Sequence, residues 1–133
     1  MTYSLDANTC IEVLRGKNAR VVAKLSSISL SQVIVCSVVR AELWYGSEHS
    51  QHPAVQLAKV ASFLVPFGTQ VFDDAAARAY GTLRASLRKA GTIIGPNDLL
   101  IATLALVNGS IIVTHNTAEF ARVPGLVLED WEI

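Results

Sequence analysis

The chain has 133 residues, 51% of them hydrophobic and 17% charged, and its eleven basic and eleven acidic side chains cancel. That length fits one domain, 1–133, with a core of its own, and the absence of net charge excludes nucleic-acid binding through a general positive field, leaving only segregated charge for that purpose. A mean hydropathy of +0.40 with so few charges implies apolar surface covered by a second copy or another partner.

The N-terminal MTYSLDANT carries no basic leader, and no apolar run reaches the roughly 20 residues of a membrane span. A cytoplasmic protein with no membrane contact is expected. A short extended run at 2–5 is followed by helical patterns at 9–14 and 19–26, then by a second extended run at 33–36. Helices are expected at 38–47 and 55–63, with SEHSQHP (47–53) as a surface loop between them. A third strand is expected at 65–71. The helix at 74–90 is the clearest, with Ala76, Tyr80, Leu83 and Leu87 on one stripe, Arg78, Arg84, Arg88 and Lys89 on the others, and Gly91 beyond its end. After it come a helix at 97–107 and strands at 111–114 and 125–129. Alternation of this kind predicts an α/β fold with a mostly parallel sheet and helices on both faces. Cys10 and Cys36 have neither CxxC spacing nor a histidine pair nearby, so they are expected as buried reduced thiols.

In open α/β sheets ligands bind beyond the carboxyl ends of the parallel strands. Asp6 follows the first strand. Glu42 lies in the second turn of a helix for which Ser37 is the expected N-cap, Asp98 opens an apolar helix behind Gly95-Pro96, and His115-Asn116 follow the strand IIVT. Four segments thus bring polar groups to one sheet edge. Two readings are open for the acids. Asp6 and Asp98 could cap helices, Glu42 could be a solvated helix residue, and Asn116 with Glu119 could cap a short helix at TAEF. Alternatively Asp6, Glu42 and Asp98 converge. Each close pair of carboxylates would then repel by roughly 4 kcal/mol at 4 Å and an effective dielectric of 20, more than the ~1 kcal/mol that a cap contributes. A hard divalent cation relieves that repulsion and keeps the oxygens as ligands, and the chemistry that follows is attack of water on a phosphodiester. His115, His49 and His52 read as surface residues. Trp44, Tyr45 and Trp131 read as packing or interface residues. Arg84 and Arg88 read as a solvated face or as phosphate contacts.

The segments LDAN around Asp6, RAELWYG around Glu42, IGPNDLLIATLA around Asp98, and the tail VTHNTAEFARVPGLVLEDW occur in one order from Leu5 to Trp131. Together they resemble the PIN-domain ribonucleases, specifically the VapC-type toxins of toxin–antitoxin pairs. The resemblance implies a central parallel sheet flanked by helices, with an acidic pocket at its carboxyl edge. It also implies Mg²⁺ or Mn²⁺ held by Asp6 and Asp98, with Glu42 completing the shell directly or through water. Asn116 stands where many relatives carry a fourth aspartate, with Glu119 one turn on as a partial replacement, and Ala7 stands where they usually carry Thr or Ser. The implied partners are a cognate VapB-type antitoxin, a second copy in a homodimer, DNA only through the antitoxin, and RNA bound by a basic face such as Arg84 and Arg88. The GTIIGPND and NTAEF segments are similar to those of toxins that cut initiator tRNA at the anticodon loop. A binding-only PIN module within a repressor complex, or a nuclease acting on ribosomal RNA or mRNA, are the alternatives. A haloacid-dehalogenase phosphatase is disfavoured because Asn8 replaces the second acid of its DxD motif. A receiver domain is disfavoured because no lysine follows Lys89.

Overall fold

A computed structural model describes all residues from Met1 to Ile133. Strand β1 (Tyr3–Leu5) leads into helices α1 (Ala7–Arg15) and α2 (Ala19–Ser26); after a 3₁₀ turn come β2 (Val33–Ile34), α3 (Ser37–Glu48), α4 (Pro53–Leu64), α5 (Asp74–Ala90) and α6 (Pro96–Asn108), and β3 (Ile111–Val113), α7 (Thr117–Phe120) and β4 (Leu128–Glu129) complete the chain. The strands form one parallel sheet in the order β2-β1-β3-β4. Tyr3 lies in register with both Val33 and Ile111, so β1 is central and its carboxyl end opens between its neighbours.

Local chemistry sets the helix ends. Asp6 and Asp73 each accept a hydrogen bond from the N–H three residues on, at 2.8 and 2.9 Å, and so start α1 and α5. Pro96 occupies the first turn of α6, and Gly109 ends it in the left-handed region at φ 66°. Helix α6 is the core's centre. Leu99, Ile101, Ala102, Thr103, Leu104 and Ala105 are all buried, packed with Leu5, Ile112, Val113 and Phe120. The Thr103 hydroxyl is satisfied within the helix by donating to Leu99 O at 2.7 Å.

Two expectations need correction. The run 65–71 is not a strand. Only residues 68–70 run along the sheet edge, with one parallel bridge between Gly68 and Ile34 and backbone bonds from Val35 N to Gly68 O, Gly68 N to Val33 O and Ser37 N to Gln70 O. The Arg40 guanidinium donates to the Phe67 and Gly68 carbonyls at 3.1 and 3.3 Å, and Pro66 has no N–H for a ladder. Val65 and Val71 are 81% and 64% exposed, and of the run's large apolar side chains only Phe67 is buried in the core. A Cβ at Gly68 would stand 2.9 Å from Ile34 Cδ1, so the close approach needs glycine. The second correction concerns Ser37, which is the first residue of α3; Cys36 is the N-cap and makes no side-chain capping bond. No helix is long and apolar enough to cross a membrane.

Candidate active site

Asp6 leaves the carboxyl end of β1 and is 5% exposed. Its Oδ1 caps α1 through Thr9 N, and the Thr9 hydroxyl donates to Val113 O at 3.2 Å, tying the cap to β3. Capping therefore uses one Asp6 oxygen, while the residue also lines a cleft of about 730 Å³ with Glu42 and Asp98.

Asp98 is not a cap. The N-terminus of α6 has no side-chain capping bond, so the carboxylate is left to its neighbours. Burial pushes its pKa up to about 6 from 3.8, and the like charges of Glu119, Glu42 and Asp6 add to the shift. Those three acids come from α7, α3 and the β1 edge. Glu42 is held across the cleft, where its Oε1 accepts from Asn97 Nδ2 at 2.9 Å. The bond spans 55 residues of sequence and leaves the other Glu42 oxygen free for a ligand or a water.

Glu119 is clamped from two sides. Its Oε1 accepts from Gly95 N at 2.6 Å and its Oε2 from Asn116 Nδ2 at 2.7 Å, and these donors hold its carboxyl below the usual range beside Asp98. A Cβ at Gly95 would lie 3.3 Å from that oxygen, so glycine leaves room for the clamp. Asn116 takes the N-cap position of α7 without capping it by its side chain; its amide supports Glu119 instead. The expected cap at TAEF is therefore replaced by a carboxylate clamp.

None of the four carboxylates Asp6, Glu42, Asp98 and Glu119 enters a salt bridge. This donor set, oxygen-only and with no salt-bridge partner, fits a hard divalent ion. The oxygens of Asp6, Glu42 and Asp98 do not all close to within 4.8 Å, as those of a second cluster do. Wider spacing suits an ion that keeps several of its waters.

The second cluster is His115, Asp130 and Glu132. His115 Nδ1 lies 2.9 Å from Asp130 Oδ2 and 3.9 Å from Glu132 Oε2, and the Asp130 bond pushes the imidazole pKa up. Asp130 also accepts from Glu132 N at 2.9 Å. When protonated, the imidazole is a counter-charge beside these acids. Nothing next to His115 in sequence signals the pairing, since Asp130 is 15 residues away.

Arg84 and Arg88 lie exposed on α5 and do not line the cleft; Arg84 stacks over Tyr80, 5.9 Å from the ring centroid, and donates to its hydroxyl at 3.1 Å. The cations that do line the cleft are Arg15 and Lys59. No motif singles these two out in the sequence. Cys10 and Cys36 are free and buried, with both thiol pKa values pushed up by burial, as expected of unreactive packing residues. Trp131 is buried beside Tyr3, at 5.9 Å between ring centroids.

Comparison with known proteins gives this geometry its context. The chain is 40% identical over 131 residues to the tRNA(fMet)-specific endonuclease VapC of Shigella flexneri, covering 98% of both chains. It is 36% identical over 138 residues to Ribonuclease VapC2 of Rickettsia felis, covering 99% of each. It superposes on a chain of the DNA-bound VapBC structure from Salmonella typhimurium with a TM-score of 0.92, at 36% identity and 98% coverage of both chains. PIN-domain nucleases are generally dependent on divalent metal, and the uncompensated acids of this cleft agree with that chemistry. The PIN domain family model matches residues 3–126, so the acidic cleft lies wholly within the match, and the chain belongs to the PIN-domain family among relatives named as VapC ribonucleases.

Proposed function

We propose that this chain is the toxin of a toxin–antitoxin pair, a divalent-metal-dependent endoribonuclease whose centre is Asp6, Glu42 and Asp98. The observation that carries the reading is the convergence of these acids at one end of a cleft, none of them in a salt bridge. Asp6 and Asp98 would hold Mg²⁺ or Mn²⁺. Bound there, such an ion supplies charge stabilisation to the phosphate and lowers the pKa of a coordinated water. Asp6 is fixed by its bond from Thr9 N and so presents its other oxygen without reorganisation. Glu42, oriented by Asn97, is placed to accept a proton from the attacking water or to complete the ion's shell through water. Glu119, clamped by Gly95 and Asn116, takes the position of a fourth charge beside Asp98.

The substrate is RNA, with tRNA first and the initiator tRNA anticodon loop as its specific site. A full-length relative carries the name tRNA(fMet)-specific endonuclease, and loops with splayed bases are what sequence-specific RNA enzymes read. The partners are a VapB-type antitoxin and a second copy of the chain, and DNA is reached only through the antitoxin. The similar Salmonella structure is a DNA-bound VapBC complex. The protein works in the cytoplasm.

The test is incubation of antitoxin-free protein with a tRNA pool, with Mg²⁺ or Mn²⁺ and separately with EDTA, beside Asp98→Asn. Discrete cleavage that needs metal and is lost in the variant is expected. Cleavage of ribosomal RNA or mRNA alone would remove tRNA and keep the nuclease. No cleavage of any RNA under either metal would leave a binding-only module.

A further inference from the structure

The cleft that holds the acids does not end at them. Asp6 stands at the start of α1 and Arg15 is its last residue, and both line the same cleft. At 1.5 Å rise per residue the two are about 13 Å apart along the helix. Glu42 lies in the second turn of α3, and the same cleft continues past Gly46 in the last turn of that helix and Ser50 beyond its end to Gln56 and Lys59 of α4. One end is thus purely acidic and the other carries two cations.

Neither cation is used by the fold. Lys59 is exposed and enters no salt bridge. Arg15 has only Glu12 of its own helix, at 3.5 Å, with its side chain 64% exposed, a solvent-screened pair of little worth. Arg15 also sits favourably at the negative end of the α1 dipole, but that account does not reach Lys59, which lies in the middle of α4. A polyanion entering a cleft with an acidic end is repelled there until an ion is bound, so attraction must come from elsewhere along its path.

We propose that Arg15 and Lys59 form a second phosphate subsite, which grips the RNA backbone a few nucleotides from the bond cut at the acids. The inference rests on the nuclease reading and adds to it a register: the substrate strand runs along α1 and α3 from the acidic end to the basic end. Two point charges contact phosphate without reading bases, so this subsite sets affinity and the minimum substrate length, and it leaves sequence choice to other contacts.

The experiment measures binding of labelled single-stranded RNA of graded length to Arg15→Gln, Lys59→Gln and the double variant, across a salt series. Both side chains are exposed, so the variants fold. The Asp98→Asn background prevents cleavage during the measurement. Each substitution is expected to weaken binding several-fold at low salt and to reduce the slope of log affinity against log salt by about one. In the cleaving enzyme the same substitutions raise KM with little change in kcat. The penalty is expected to shrink once the oligonucleotide is too short to span the cleft. Arg78→Gln, on α5 away from the cleft, serves as the control for general charge. A penalty that is independent of length, or equal to that of Arg78→Gln, would overturn the subsite. So would an unchanged RNA affinity together with weakened binding of a Glu-rich peptide, because the cations would then hold an acidic protein segment. If wild-type protein cuts nothing, the nuclease reading fails separately, and the binding series still decides the subsite.

Discussion

Two groups of acids lie near the carboxyl edge of this sheet, and they solve the same electrostatic problem differently. Asp130 and Glu132 face His115, whose protonated form they favour. Asp6, Glu42, Asp98 and Glu119 are hydrogen-bonded by neutral donors from Thr9, Asn97, Gly95 and Asn116 and enter no salt bridge. Neutral donors orient a carboxylate without cancelling its charge, so the repulsion remains and adds to burial in raising the Asp98 pKa to about 6. Tight spacing of potential ligands is therefore a poor guide to a metal site. The His115 cluster is the tighter of the two, yet it is already satisfied. The looser cleft has a charge imbalance that an ion from solution would remove.

Removing charge from the cleft is expected to have the largest consequence. Asp98→Asn or Asp6→Asn should lower RNA cleavage by at least about a hundredfold, since loss of a ligand exceeds the usual 10–100-fold cost of losing its outer partner; steady-state cleavage assays measure this. His115→Gln in the same assay separates the two clusters, and a loss as large as that of Asp98→Asn would break the distinction between them.

Metal should stabilise only through the cleft. At a hundredfold excess over Kd, Mn²⁺ is expected to add about 2.7 kcal/mol, read as a rise in Tm that Asp98→Asn loses and His115→Gln keeps. Calorimetric titration should also show Mn²⁺ affinity falling as pH drops below about 6, where a proton on Asp98 competes with the ion.

The pH dependence of the metal-free protein sharpens the comparison further. Asp98 has a folded pKa raised from 3.8 to about 6, so its contribution to stability is fully present below 3.8 and is lost as pH rises through about 6. Chemical denaturation between pH 4 and pH 7 should show that loss, and Asp98→Asn should flatten it. Saturating Mn²⁺ should reverse the trend, because the ionised carboxylate is then the bound form.

The smallest effect belongs to His115. Its folded pKa is raised by Asp130, so its contribution is present below the ordinary histidine value of 6.5 and is lost as pH rises through the raised one. The group is exposed, so only a slight change in Tm is expected on His115→Gln. Metal should leave that change as it is. A Tm change that disappears with Mn²⁺ would mean that the ion binds the His115 cluster as well.

The elements whose signals are local were legible in the sequence. Gly91 lies just past the end of α5 as read, and α6 opens at Gly95-Pro96, because a left-handed glycine or a proline in the first turn acts on residues only a few positions apart. The run 65–71 misled for the complementary reason. Its apolar residues suit a strand, but how far a strand extends depends on its neighbour: only Gly68 and Gln70 bond the run that begins with β2, and Arg40, from another element, also bonds the Phe67 and Gly68 carbonyls. Asp6, Glu42 and Asp98 were legible as candidates because each follows a strand or opens a helix near the sheet's carboxyl edge. Their convergence was legible only through the family resemblance.

By itself the sequence determined the alternating α/β order, the buried character of α6 and the positions from which three acids could meet. The tertiary structure alone decided that Asp98 caps nothing, that Asn97 orients Glu42 and that Gly95 and Asn116 clamp Glu119. It also placed Arg15 and Lys59, in preference to Arg84 and Arg88, on the walls of the cleft. The physical reason is range: caps and periodicity act over one or two turns, whereas the Asn97–Glu42 bond joins residues 55 positions apart and exists only once α3 and α6 have packed.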